Sequence, residues 1–200
     1  MTEDSPAAIP TWRRRRAEAF ARHTIVRRPA LRSRFVQFSG AQRTHRVLDV
    51  GTGAGLSAFA LACRAGSVTA VDWRPDLLDQ ARREADRRKL PNVTFFEANP
   101  QALPFPDAIF DVVTSAAALH HFVDPLRAIS EMARVCKEGG TVALEDVVAS
   151  EQAIRARYHN RIERLRDRSH QRLLSLSELL SVLGQAGLLV RRVEVQASVR

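Results

Sequence analysis

Val47-Leu48-Asp49-Val50-Gly51-Thr52-Gly53-Ala54-Gly55 is the stretch whose reading decides the fold. Apolar residues bracket an Asp, glycine then falls at every second position, and an apolar helical pattern begins directly afterwards. A buried parallel strand that turns sharply into a helix needs residues that tolerate positive φ. A ligand lying flat against that turn needs positions without a Cβ. Outward from the loop, strand and helix signals alternate, the pattern of a doubly wound α/β fold with a mostly parallel sheet. The expected strands are 46–50, 67–72, 92–97, 109–114 and 141–147. The expected helices between them are 55–65, 76–88 and 124–136. Pro75 suits a first helical turn, and Asp124-Pro125 reads as an N-cap followed by proline.

The spacing Asp-x-Gly-x-Gly-x-Gly from Asp49 to Gly55 differs from the Gly-x-Gly-x-x-Gly of the dinucleotide-binding fold. A carboxylate beside the loop would repel a phosphate and suits a cationic amine. About 20 residues on, Val68-Thr69-Ala70-Val71-Asp72 ends the next strand with a carboxylate able to accept both hydroxyls of a ribose. Trp73 then offers an aromatic face. The small residues Thr114-Ser115-Ala116-Ala117-Ala118 end the fourth strand, where open α/β sheets bind ligands. His120-His121 follow, and an imidazole there can take a proton near neutral pH.

These motifs resemble the class I S-adenosylmethionine (SAM)-dependent methyltransferases, and in particular the methyltransferase type 11 family of ubiquinone and menaquinone biosynthesis. The resemblance rests on the glycine loop and on Phe96-Glu97-Ala98-Asn99-Pro100-Gln101-Ala102-Leu103-Pro104-Phe105-Pro106-Asp107. It extends through Phe110-Asp111-Val112-Val113, His120-His121-Phe122-x-Asp124-Pro125 and Glu131-Met132-Ala133-Arg134-Val135…Gly139-Gly140. It implies a Rossmann-like methyltransferase fold and SAM as cofactor, held by Asp49, Gly51, Thr52, Gly53, Gly55, Asp72, Trp73, Ala98, Asn99, Ser115 and Ala116. His120 and His121 are the candidate catalytic residues. The family's adenine-facing Asp falls on Asn99, a neutral acceptor that binds an amino group more weakly. Glu163-Arg164-Leu165-Arg166-Asp167-Arg168-Ser169-His170 resembles a Glu-Arg-Leu-Arg-Asp-Pro-Ser-His segment of one branch of the family, with Arg168 in place of Pro. It lies in a 150–175 insertion expected either to cap the acceptor site or to form an exposed basic helix. No Asn/Asp-Pro-Pro-aromatic tetrapeptide follows the fourth strand, which argues against an adenine- or cytosine-N-methylating enzyme.

The net charge of +9 is unevenly placed. Residues 1–46 carry +8 and residues 151–172 carry +4, whereas residues 47–150 carry −4. Thr11 to Phe20 reads as a helix bearing the solvated run Arg13-Arg14-Arg15-Arg16. We therefore divide the chain into a basic helical segment, 1–45, and a SAM-binding domain, 46–200. The reaction expected is methyl transfer to oxygen or carbon of a small-molecule acceptor. Two other readings stay open. One is a methyltransferase-like domain that binds SAM weakly or not at all, suggested by Asn99 and by the expected lack of the family's seventh strand. The other is a nucleic-acid binder, suggested by the basic flanks but opposed by sparse aromatics, so no specific nucleic-acid partner is expected. No apolar run approaches the roughly 20 residues of a membrane span. Cys63 and Cys136 form no metal-spaced cluster and read as reduced core residues of a cytoplasmic protein. Residues 176–186 read as a helix with Ser175-x-x-Glu178 as a capping box, and 188–195 as a sixth strand. The seventh, antiparallel strand of the family has no sequence left to form it. An uncovered sheet edge there would favour a homodimer or aggregation.

Overall fold

The computed structural model describes residues 29–196. The helix expected at 11–20 lies outside the described residues. In chain order the elements are α1 (Pro29–Ser39), β1 (Arg46–Val50), α2 (Leu56–Ala62), β2 (Ser67–Asp72), α3 (Pro75–Arg88), β3 (Val93–Glu97), β4 (Phe110–Ala116), α4 (Pro125–Val135), β5 (Cys136–Glu145), α5 (Ala153–Arg166) and α6 (Leu176–Gln185). A short 3-10 turn, Leu119–His121, sits between β4 and α4.

The five strands run parallel in the order β3-β2-β1-β4-β5. Successive side chains of a strand point to opposite faces, and the central strands are apolar on both. Leu48, Val50, Val71 and Val113 pack with Ile129, Met132 and Val135 of α4 on one face. Val47, Val68 and Val112 pack with Ala58 and Leu61 of α2 and Val36 of α1 on the other. Two-sided burial is what a parallel sheet with helical crossovers requires.

The helix starts are set locally. Asp124 accepts the Arg127 N–H at 3.0 Å ahead of Pro125, and Ser175 and Glu178 form the expected capping box. Arg134 staples the β3–β4 connection to α4. Its guanidinium donates to the carbonyls of Leu103 and Phe105 and pairs with Glu131 and Asp107.

Two expected elements differ. β5 starts at Cys136 opposite Phe110, breaks register around Gly139 (φ 72°), and resumes with Thr141 opposite Val112. It ends at Glu145, before the expected 147, because the Asp146 carboxylate turns away to accept from His120. Residues 188–195 form no strand. They run beside α1, where Glu194 pairs with Arg34 at 3.2 Å and the Arg192 guanidinium lies over the Phe38 ring. Among the described residues no strand pairs with the segment bearing Leu188, Val190, Val193 and Val195. Val193 and Val195 are exposed.

Candidate functional site

A cleft opens at the carboxyl ends of β1, β2, β4 and β5, enclosing about 980 Å³ of empty space that includes its open mouth. Its floor is the glycine loop. The N–H groups of Gly51 and Thr52 both donate to the Val71 carbonyl, at 2.9 and 3.0 Å, which ties the loop to the end of β2. Gly51, Gly53 and Gly55 all have positive φ, at 73°, 54° and 86°. The three are glycine for different reasons. A Cβ on Gly51 would stand 2.5 Å from the Ala118 Cβ, and one on Gly55 would stand 2.6 Å from the Phe59 ring. A Cβ on Gly53 would meet only Leu77 Cδ1, at 3.8 Å. Gly53 and Leu77 both line the cleft, so Gly53 is the position where a side chain would take up ligand space.

Asp72 stands at the rim, 7% exposed. One carboxylate oxygen accepts the Gly53 N–H at 2.8 Å and the other the Arg74 N–H at 3.0 Å. Each oxygen keeps a lone pair for a further donor. Burial raises its pKa, against the pull of those backbone donors. Trp73 beside it is exposed and lines the cleft.

Asp49 lies beneath the loop and is not part of the cleft lining. It is buried, and its Oδ1 accepts from the Thr114 hydroxyl at 2.8 Å. Asp49 Oδ2, Thr52 Oγ1 and Ser115 Oγ are buried without a hydrogen bond of normal geometry. Burial pushes the Asp49 carboxyl up to about 6, opposed by the Thr52 and Thr114 hydroxyls and reinforced by the nearby Asp72 charge. An arriving cation would relieve it.

Of the other sequence candidates, Gly51, Thr52, Gly53, Asp72, Trp73, Ala116 and His121 line the cleft, whereas Gly55, Ser115, Ala98, Asn99 and His120 do not. Ala98 is buried and donates its N–H to the Asp72 carbonyl. Asn99 is exposed, its side-chain oxygen accepting the Gln101 N–H at 2.9 Å in a local turn.

His121 stands in the far wall, with His120 and His170 packed near it. His120 Nδ1 lies 2.6 Å from Asp146 Oδ1, and its ring centroid is 4.1 Å from that of His121 and 5.5 Å from that of His170. Burial works against the charged form of His120, but the Asp146 carboxylate outweighs it and the pKa is raised. Burial and the neighbouring His120 lower that of His121, with Ser169 and the nearby carboxylates opposing. Burial, His120 and His121 together push His170 down to about 4. The Asn160 oxygen accepts the Leu173 N–H, so His170 Nε2, 3.0 Å from that same oxygen, carries a hydrogen. Neighbouring titratable groups driven in opposite directions are an arrangement that acid–base sites use.

Several lining residues stand outside the candidate set, among them Arg32 of α1, Ala117, Glu145 and Ser169. The signal for Glu145 was its place at the end of a parallel strand; burial and Asp146 raise its pKa. Ala117 holds φ 52° while its N–H donates to the Glu145 carbonyl at 2.7 Å. The 150–175 segment is tied to the site, since the N–H groups of Gln171 and Arg172 both donate to the His120 carbonyl. Among the described residues no group of His, Cys, Asp or Glu is placed to hold a metal ion. No helix among them is long and apolar enough to cross a membrane.

The fold is shared with known proteins. The structure superposes on the crystal structure of YcgJ from Bacillus subtilis with a TM-score of 0.77 and 34% identity, covering 80% of this chain and 68% of that one. By sequence the uncharacterized methyltransferase YcgJ of Bacillus subtilis (strain 168) is 40% identical over 134 residues, 67% of this chain and 53% of its own length. A demethylmenaquinone methyltransferase of Thermus thermophilus is 40% identical over 115 residues, 56% of this chain and 52% of its own length. The chain thus spans about half the length of these two curated relatives. A SAM-dependent methyltransferase from Aquifex aeolicus shares the fold at a TM-score of 0.69, with 22% identity and 89% of each chain covered. A family model described as a methyltransferase domain matches residues 48–144, and the chain belongs to that methyltransferase family.

Proposed function

We propose that the chain binds SAM and transfers its methyl group to oxygen or carbon of a small-molecule acceptor. The observation that carries this reading is the anchored Asp72 carboxylate, fixed at the rim by the Gly53 and Arg74 N–H groups beside a loop whose central glycine leaves the cleft open. The residues present fit the cofactor. Asp72 offers acceptors for ribose hydroxyls and Trp73 an exposed aromatic face. The buried, incompletely bonded Asp49 suits a positive charge placed above the loop. When bound, SAM supplies an electrophilic methyl group. The chain's own contribution is to hold an acceptor between the β4 end and the cap, to exclude water, and to receive a proton at the histidine wall.

The demethylmenaquinone methyltransferase relative supports a small acceptor. Calorimetric titration with SAM and S-adenosylhomocysteine tests the reading, and absence of heat with both would overturn it. One observation favours a second reading, a domain with weak cofactor affinity. The Asn99 oxygen is spent on the Gln101 N–H and does not face the cleft. The same titration separates the two by the dissociation constant.

A further inference from the structure

We infer that the outward face of α5 is a docking surface for an anionic phospholipid bilayer, with the helix lying along the headgroup boundary. The order of side chains around Ala153–Arg166 carries this. The inner side is marked by Asn160, 7% exposed, whose side chain donates to the Ala156 and Leu173 carbonyls and accepts the Leu173 N–H. At 3.6 residues per turn, Ile154, Tyr158, Ile162 and Leu165 all lie within about 60° of the point opposite Asn160. They are 85%, 68%, 42% and 80% exposed. Single apolar residues scattered over a surface are ordinary, but a contiguous exposed row rimmed by charge marks a contact surface.

Exposed arginines border the row on both sides, Arg157, Arg161 and Arg164 along one edge and Arg155 and Arg166 along the other. The one acidic residue of the helix, Glu163, stands on the inner side and pairs with Arg166. Arg164 reaches the Gln171 carbonyl at 3.3 Å. Among the described residues no carboxylate pairs with Arg155, Arg157 or Arg161. These two chemistries together select the occupant. A second copy docked face to face would set the same arginines against each other. A nucleic acid would take the arginines and leave the apolar row against phosphate and water. A bilayer serves both: the acyl boundary takes the row, and lipid phosphates take guanidinium groups whose stems run along apolar surface. The 14 residues of α5 span about 21 Å, short of the roughly 30 Å of hydrocarbon, so the helix lies on the membrane and does not cross it. It ends three residues before Ser169, which lines the cleft, so at most about 11 Å of backbone separates the docked helix from the site. The inference stands on the surface of α5 alone and holds whichever acceptor the cleft takes.

Flotation of the full chain with phosphatidylglycerol–phosphatidylcholine vesicles at physiological salt tests the inference. Residues 1–46 bring a charge of +8 of their own, so the readout is the difference that α5 variants make. Ile154→Ser combined with Leu165→Ser should weaken binding by at least about tenfold through loss of apolar insertion. Arg155→Gln, Arg157→Gln and Arg161→Gln together should weaken it roughly 100-fold, at about fivefold per arginine. All five positions are exposed, so both variants should melt with the parent. In a third variant, Tyr158→Trp, brominated phosphatidylglycerol should quench the emission gained over the parent. No vesicle binding by the parent overturns the inference. So does binding that the serine pair leaves unchanged with no quenching at Tyr158→Trp, which is adsorption through charge alone. A parent dimer that the serine pair makes monomeric in light scattering assigns the face to a second copy. Bulk RNA held by the parent and released by the serine pair assigns it to nucleic acid, and either result overturns the bilayer.

Discussion

Replacing Asp49 with Asn removes one buried charge while keeping the shape of the side chain and an acceptor for the Thr114 hydroxyl. Burial raises this carboxyl from 3.8 to about 6 in the folded protein. A displacement of about 2 units corresponds to about 3 kcal/mol. The sign follows from proton binding. Between pH 4 and 6 the folded chain holds the Asp49 proton more tightly than the unfolded chain does, so stability from this group falls as pH rises through that window. Below pH 4 both states are protonated and Asp49→Asn should match the parent. At pH 8 the variant should be the more stable by up to about 3 kcal/mol. Urea unfolding of both proteins at pH 4.5, 6 and 8 measures the gap. His170 titrates over much of the same range with the opposite sign, but it is present in both proteins and cancels in the difference. The variant should also bind SAM roughly 10–100-fold more weakly, through loss of the negative charge beneath the loop. A gap that stays flat from pH 4.5 to 8, or a variant less stable than the parent at pH 8, would refute the picture of a carboxylate held for a cation.

Asp72→Ala should weaken SAM binding by about 2–3 kcal/mol, or roughly 30–150-fold in calorimetry. Unchanged affinity would mean that the ribose lies elsewhere. Gly53→Ala should fold with a loss of about 1–2 kcal/mol from its positive φ, yet lose cofactor affinity. Gly51→Ala should be the less stable of the two, since its Cβ would overlap Ala118; thermal melts with and without SAM distinguish them. His170→Gln keeps a donor for Asn160 and removes a base held near 4. The parent should lose stability as pH falls from 6.5 toward 4, because the unfolded His170 takes up a proton there that the folded one does not, and the variant should lose less. Parallel acid limbs in the two unfolding series would contradict that assignment.

The central strands were readable because each is a short apolar run between punctuating residues. β2 keeps its expected bounds and β1 does too. Pairing needs a partner, and a sequence does not say whether one will be there. Leu188 to Val195 alternate as a strand should, yet the segment ends beside α1, held by Arg34 and Phe38. The site was legible where one residue's chemistry is enough, as at Gly53 and Asp72. It was not legible where chemistry arises from distant segments meeting. Asp146, Ser169 and Asp167 become informative only once the cap folds back across 48 residues to His121. Asn99 shows the reverse: the resemblance puts its position toward a cofactor, while here its oxygen closes a local turn.

The His120 carbonyl accepts two N–H groups from the cap, and this bears on how such an enzyme can be re-engineered. Acceptor preference in a modular scaffold is usually altered by exchanging the segment that covers the pocket. Here that segment and the turn bearing the histidines share one oxygen atom as a hinge pin. Replacing residues 150–175 would remove both of those donors from the turn that bears the histidines. A change of specificity in this scaffold is therefore better sought by point substitutions at lining positions such as Glu145, with the 167–172 backbone left in place.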